Sequence, residues 1–133
     1  MNESSSAIIC LGASCLTKVE AVEAAFAFIA TLGTVTADSR GFLSDPEFSP
    51  EGTPLYQNRV LALSTTLPHD ELHRLSKNYE TAIRTAHTGK GVAVDIDIVV
   101  FNNCIYREKD AASDYFRKGL ELAGIKDKFS VNV

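Results

Sequence analysis

The run Val94-Asp95-Ile96-Asp97-Ile98-Val99-Val100-Phe101 leaves its part of the chain little choice. All but the two aspartates are apolar, mostly β-branched or aromatic, which is the composition of a strand buried in a sheet. Alternation along a strand sends Asp95 and Asp97 to one face and Ile96 and Ile98 to the other, with the two carboxylates about 7 Å apart. Burying either charge unpaired is expensive. Two arrangements avoid that cost. The pair holds a divalent cation, and Mg²⁺ is commonly bound by one or two carboxylates plus substrate phosphates. Alternatively the aspartates sit in water at a strand end or pair with Lys and Arg.

The rest of the chain sets bounds. A length of 133 residues supports one domain with a sizeable core, expected over residues 7–133 behind a flexible segment 1–6. A net charge of -4 gives no basic footprint and argues against a dedicated nucleic-acid binder. Met1 to Ser6 lacks the features of a signal peptide, and no apolar run approaches the roughly 20 residues of a membrane span, so a cytoplasmic protein is expected. Cys10, Cys15 and Cys104 are odd in number and lack metal-ligand spacing, so they read as reduced thiols. Oligomeric state is left open.

Taken in order, Ala7 to Gly12 reads as a first buried strand. Thr17 and Glu20 form a capping-box pattern ahead of a helix from Lys18 to Thr31, with Val19, Val22, Phe26 and Ile29 as its core stripe and Gly33 as its stop. Thr34 to Leu43 suits a second strand. Ser44 to Pro54 holds three prolines and a glycine, so it is a loop, either a binding lid or a plain exposed connection. Leu55 to Thr66 is the third strand, apolar enough for both faces to be partly covered. Tyr56 and Asn58 share one of its faces and either present polar groups to a ligand or sit at a wet edge.

Pro68 opens a second helix, with Asp70 and Glu71 near its positive end and Leu72, Leu75, Tyr79 and Ile83 as its buried stripe. His69 and His73 lie on it at i,i+4 without a further clear ligand, and read as solvated. After the aspartate strand, Asn102-Asn103 turns the chain into a short strand, Cys104 to Tyr106. Lys109 to Gly124 is a third helix, and Lys126 to Val133 a possible edge strand. The order βαββαβ plus a helix predicts an α+β fold of ferredoxin-like type, an antiparallel sheet with helices packed on one face.

In that frame the chain resembles the 6-hydroxymethyl-7,8-dihydropterin pyrophosphokinase family, from about Ile8 to Ala123. The resemblance is carried by Leu11-Gly12-Ala13-Ser14, Phe42-Leu43-Ser44-Asp45-Pro46, Tyr56-Gln57-Asn58, Asp95-Ile96-Asp97-Ile98, and Tyr115 to Ala123. It implies transfer of diphosphate from ATP to the pterin hydroxymethyl group, releasing AMP, with Mg²⁺ on Asp95 and Asp97. By the same resemblance Asp45, Pro46, Tyr56, Asn58 and Phe116 hold the pterin, Phe116 by stacking. Glu80, Arg84, Lys90 and Arg117 meet the nucleotide, and Arg84 and Lys90 join the two aspartates in catalysis. The implied partners are ATP and a small pterin, with no nucleic acid and no membrane.

The chain also departs from the family pattern. It has no Trp, its segment Thr85 to Val92 carries only Lys90 as a cation, and Tyr106 to Asp110 has no Pro-His pair, although Arg84, Lys90, Arg107 and Arg117 could serve in part. The metal and pterin sites are therefore expected to be better kept than the phosphate-handling cations, with slow turnover. The rival readings are a non-catalytic pterin- or nucleotide-binding module on the same fold, and another Mg²⁺-phosphate reaction.

Overall fold

The structure is a computed structural model and describes residues 3–44, 55–87 and 89–126. Six strands form one antiparallel sheet: β1 (Ser5–Ala13), β2 (Thr34–Asp38), β3 (Phe42–Ser44), β4 (Tyr56–Thr65), β5 (Asp95–Phe101) and β6 (Cys104–Ile105). Their order is β2-β4-β1-β5-β6, with β3 pairing further along β4. The helices are α1 (Lys18–Ala30), α2 (His69–Ala86), α3 (Glu108–Ala111) and α4 (Asp114–Leu122). With β2 and β3 counted as one broken strand, this is the expected ferredoxin-like βαββαβ plan.

Strand alternation explains the layers. On β1, Ala7, Ile9, Leu11 and Ala13 join Leu61, Leu63, Ile96 and Ile98 in a core closed by Val22, Ala25 and Ile29 of α1 and Leu72 of α2. Ile8 and Cys10 point the other way, into a second core with Val60, Val99, Val100, Phe116 and Leu120. The helices therefore cover both faces, not one: α1 and α2 on the first, α4 on the second. Leu61 and Leu63 on one face and Val60 and Ala62 on the other account for the doubly apolar pattern of β4.

Several local expectations shift. The second strand breaks at Ser39-Arg40-Gly41, where Arg40 takes φ +63°. The Asp38 carboxylate binds both the Arg40 N–H (2.8 Å) and the Arg59 guanidinium (2.9 and 2.7 Å), which turns the chain out of register. The last helix splits because the Ser113 hydroxyl accepts the Phe116 N–H at 3.2 Å and starts α4 afresh. Thr17 makes no capping hydrogen bond, Val19 is exposed, and Ala25 takes its place in the core. Pro68 caps α2 from outside, so the helix begins at His69. His69 is not solvated: its ring stacks on Tyr106 with centroids 3.9 Å apart and meets Phe101 edge-on. The short strand expected from Cys104 to Tyr106 stops at Ile105, and an edge strand over 126–133 falls largely outside the described residues.

One irregularity decides which face each β5 side chain reaches. Between Ile8 and Ile9 the pairing of β1 with β5 slips by one residue, so Ile8 faces Val100 while Ile9 faces Ile98. Val99 is the extra residue of a β-bulge.

Candidate active site

Residues directly opposite in an antiparallel ladder share a face. Asp95 lies opposite Gly12, Gly12 opposite Asn58, and Asn58 opposite Phe42. One cross-sheet row thus carries a carboxylate, a gap, an amide and a ring. The next row runs Asp97, Cys10, Val60. It is roofed by α4, which packs so close that a Cβ at Gly119 would stand 2.1 Å from Val60 Cγ2. The candidate site is where that roof ends.

The gap at Gly12 is bordered by Tyr56 and Asn58, whose Cδ1 and Oδ1 lie 3.5 and 3.6 Å from the position a Cβ would occupy. Asn58 is buried and donates through Nδ2 to the Ser44 hydroxyl and the Tyr56 carbonyl, which fixes its amide plane. Burial raises the Tyr56 phenol, opposed by a hydrogen bond to Ser14. Ser14 also clamps the loop ahead of β5: its hydroxyl accepts the Val92 N–H at 2.8 Å, and its own N–H donates to the Val92 carbonyl at 3.0 Å.

The two acids are electrostatically unsettled. Burial, then the neighbouring Asp97 and Glu80 charges, push the Asp95 carboxyl up to about 6, against the pull of Lys77 and Arg84. Asp97 is likewise raised, chiefly by burial, although Lys77 and Arg107 oppose the rise. Lys77 Nζ is 3.3 Å from Asp97 Oδ1, and Arg107 Nε is 3.5 Å from the same oxygen. Asp95 makes no ion pair among the described residues. A divalent cation would relieve this repulsion, so the donor set fits Mg²⁺, which needs only one or two carboxylates when phosphates and water complete its shell. Among the described residues no cluster of three or more His, Cys, Asp or Glu would hold a metal unaided.

The remaining expected residues are dispersed. Glu80 is buried at the outer edge of β5, where its carboxylate accepts the Ile96 N–H. Arg84 is exposed one turn further on, 4.0 Å from Glu80. Lys90 is exposed on the loop that Ser14 clamps. Arg117 lies on the outer face of α4, paired with Asp114 at 3.3 Å. Phe116 has no exposed surface and packs in the second core, against which Phe42 also packs. Asp45 and Pro46 lie outside the described residues. Gly12, Ser14 and Phe42, which stood in the motifs of the resemblance without a role of their own, border the candidate site, as does Lys77, which carried no signal. A cleft of about 430 Å³ along Ile105 to Asp110 opens beside Arg107.

Residues 8–122 match the family model described as 7,8-dihydro-6-hydroxymethylpterin-pyrophosphokinase. No curated protein matches the chain. No described helix is long and apolar enough to cross a membrane.

Proposed function

Because the chain belongs to the 7,8-dihydro-6-hydroxymethylpterin-pyrophosphokinase family and is an ATP-dependent pyrophosphokinase of folate biosynthesis, we propose that its chemistry takes place over the row from Asp95 to Phe42. Asp95 and Asp97 would hold Mg²⁺, which when bound neutralises phosphate charge and orients the triphosphate. The Asn58 amide, locked by Ser44, reads one polar edge of the pterin. Tyr56 and Phe42 supply the rings that flank it, and Phe116 backs that wall from the core. The pterin hydroxymethyl oxygen then attacks the β-phosphorus of ATP. Its bond to the α-phosphate oxygen breaks, AMP leaves, and the hydroxyl proton passes to solvent.

One observation carries this reading: the acids and the amide lie on one face of one sheet, with only Gly12 between Asp95 and Asn58. A cytoplasmic location, in keeping with the free thiols of Cys10, Cys15 and Cys104, is part of the same proposal. The test is incubation of the purified protein with ATP, Mg²⁺ and 6-hydroxymethyl-7,8-dihydropterin, with AMP measured by chromatography. AMP should form only when all three are present. ATP consumed without AMP, or AMP formed equally well by Asp97→Ala, would overturn the assignment.

A further inference from the structure

We propose that Lys77 is a nucleotide-phosphate contact of this enzyme and that, without metal, its ammonium occupies Asp97 in place of Mg²⁺. The inference rests on the aspartate pair being the metal site. Lys77 Nζ donates to the Ile96 carbonyl at 2.8 Å, to Glu80 Oε1 at 3.1 Å and to Asp97 Oδ1 at 3.3 Å. An ammonium has three N–H groups, and here each has an acceptor. Two of those acceptors, Ile96 and Glu80, lie along the outer edge of β5 and hold the side chain in place; the third is the carboxylate that a metal would claim.

A cation shared by Asp95 and Asp97 competes directly with this ammonium. Arg107 already stands on the same Asp97 oxygen, so a divalent ion arriving there has two cations to compete with for that carboxylate. Lysine is a compact charge on a flexible stem, and its side chain here is 36% exposed, so it is free to turn. Released from Asp97 but still tethered at Ile96, it faces the polyphosphate that accompanies the metal. Of the other cations, Arg107 shares the Asp97 oxygen but is also held by Asp110, Arg84 meets Glu80, Arg117 meets Asp114, and Lys90 is exposed on its loop. Lys77 thus supplies charge beside the aspartates, where the segment Thr85 to Val92 carries only Lys90 as a cation.

Two variants test this, Lys77→Met, which keeps the stem without the charge, and Lys77→Arg, which keeps the charge. Mn²⁺ binding without nucleotide is read by electron paramagnetic resonance, Mn²⁺–ATP and pterin binding by calorimetry. Lys77→Met should bind Mn²⁺ alone several-fold more tightly and Mn²⁺–ATP about tenfold more weakly, with pterin affinity unchanged. Lys77→Arg should restore most of the nucleotide affinity. If Lys77 only props β5, Lys77→Met loses metal, nucleotide and thermal stability together, which overturns the inference. Wild-type protein that makes AMP while Lys77→Met binds Mn²⁺ no more tightly also overturns it and leaves the function standing. Wild-type protein that makes no AMP removes the function itself, and the inference with it.

Discussion

Glu80 stands in for a missing strand at Ile96: its carboxylate accepts the Ile96 N–H, and Lys77 of the same helix donates to the Ile96 carbonyl. β6 pairs only with Val100 and Phe101, so the outer edge of β5 would otherwise lie open beside the aspartates. Removing the carboxylate leaves a buried N–H without an acceptor, which costs about 1–3 kcal/mol. Glu80→Ala should lose that much in chemical denaturation. Glu80→Gln, which keeps an acceptor oxygen, should lose clearly less. Equal losses would mean that the charge, not the hydrogen bond, holds the edge.

Asp95 predicts a stability that depends on pH in an unusual direction. Its folded carboxyl titrates near 6, above the ordinary 3.8, so between those values the folded chain keeps a proton that the unfolded chain has lost. In metal-free protein this residue therefore destabilises the fold above about pH 6, and the penalty fades as pH falls toward 4. Asp95→Asn should raise the melting temperature by a few degrees at pH 7.5 and by about half as much at pH 5, while abolishing Mn²⁺ binding. Thermal scans of both proteins at the two pH values decide it. A variant less stable at pH 7.5 would refute the sign.

Gly12 separates the acid from the amide, and a methyl there would make ordinary contacts with Tyr56 and Asn58. The fold should tolerate Gly12→Ala with a change of less than about 1 kcal/mol. The space between Asp95 and Asn58 would be filled, however, and pterin affinity should fall about tenfold, equivalent to roughly 1.4 kcal/mol. Calorimetry with the pterin, beside a denaturation curve, separates the two effects. Unchanged pterin binding would place the ligand elsewhere.

Much of this was legible in the chain. The spacing of Asp95 and Asp97, and that of Tyr56 and Asn58, gives parity within each strand, and alternation does the rest. What alternation cannot give is the register between strands, which is why the opposition of Gly12 to both Asp95 and Asn58 was invisible. Lys77 was hidden for a related reason. On α2 it reads as one half of a surface pair with Glu80, yet its decisive partner, Asp97, lies 20 residues ahead on another element. The break at Ser39–Gly41 arises likewise from a carboxylate–guanidinium pair, Asp38 with Arg59, 21 positions apart. Ser113 was the readable exception, a capping residue inside an apolar periodicity that looked continuous.

The bulge at Val99 gives β5 two sides that trade places halfway along its length. Up to Asp97, odd-numbered positions face the side packed by α4; beyond it Val100 takes that side, and Phe101 swings over to meet His69 of α2. A strand of uninterrupted pleat would have put Phe101 beneath α4 and Val100 beneath α2. Deleting Val99 would therefore leave Val100 and Phe101 on the sides they now occupy and both acids where they are, whereas smoothing the bulge without a deletion would exchange the two cores over the distal end of the strand.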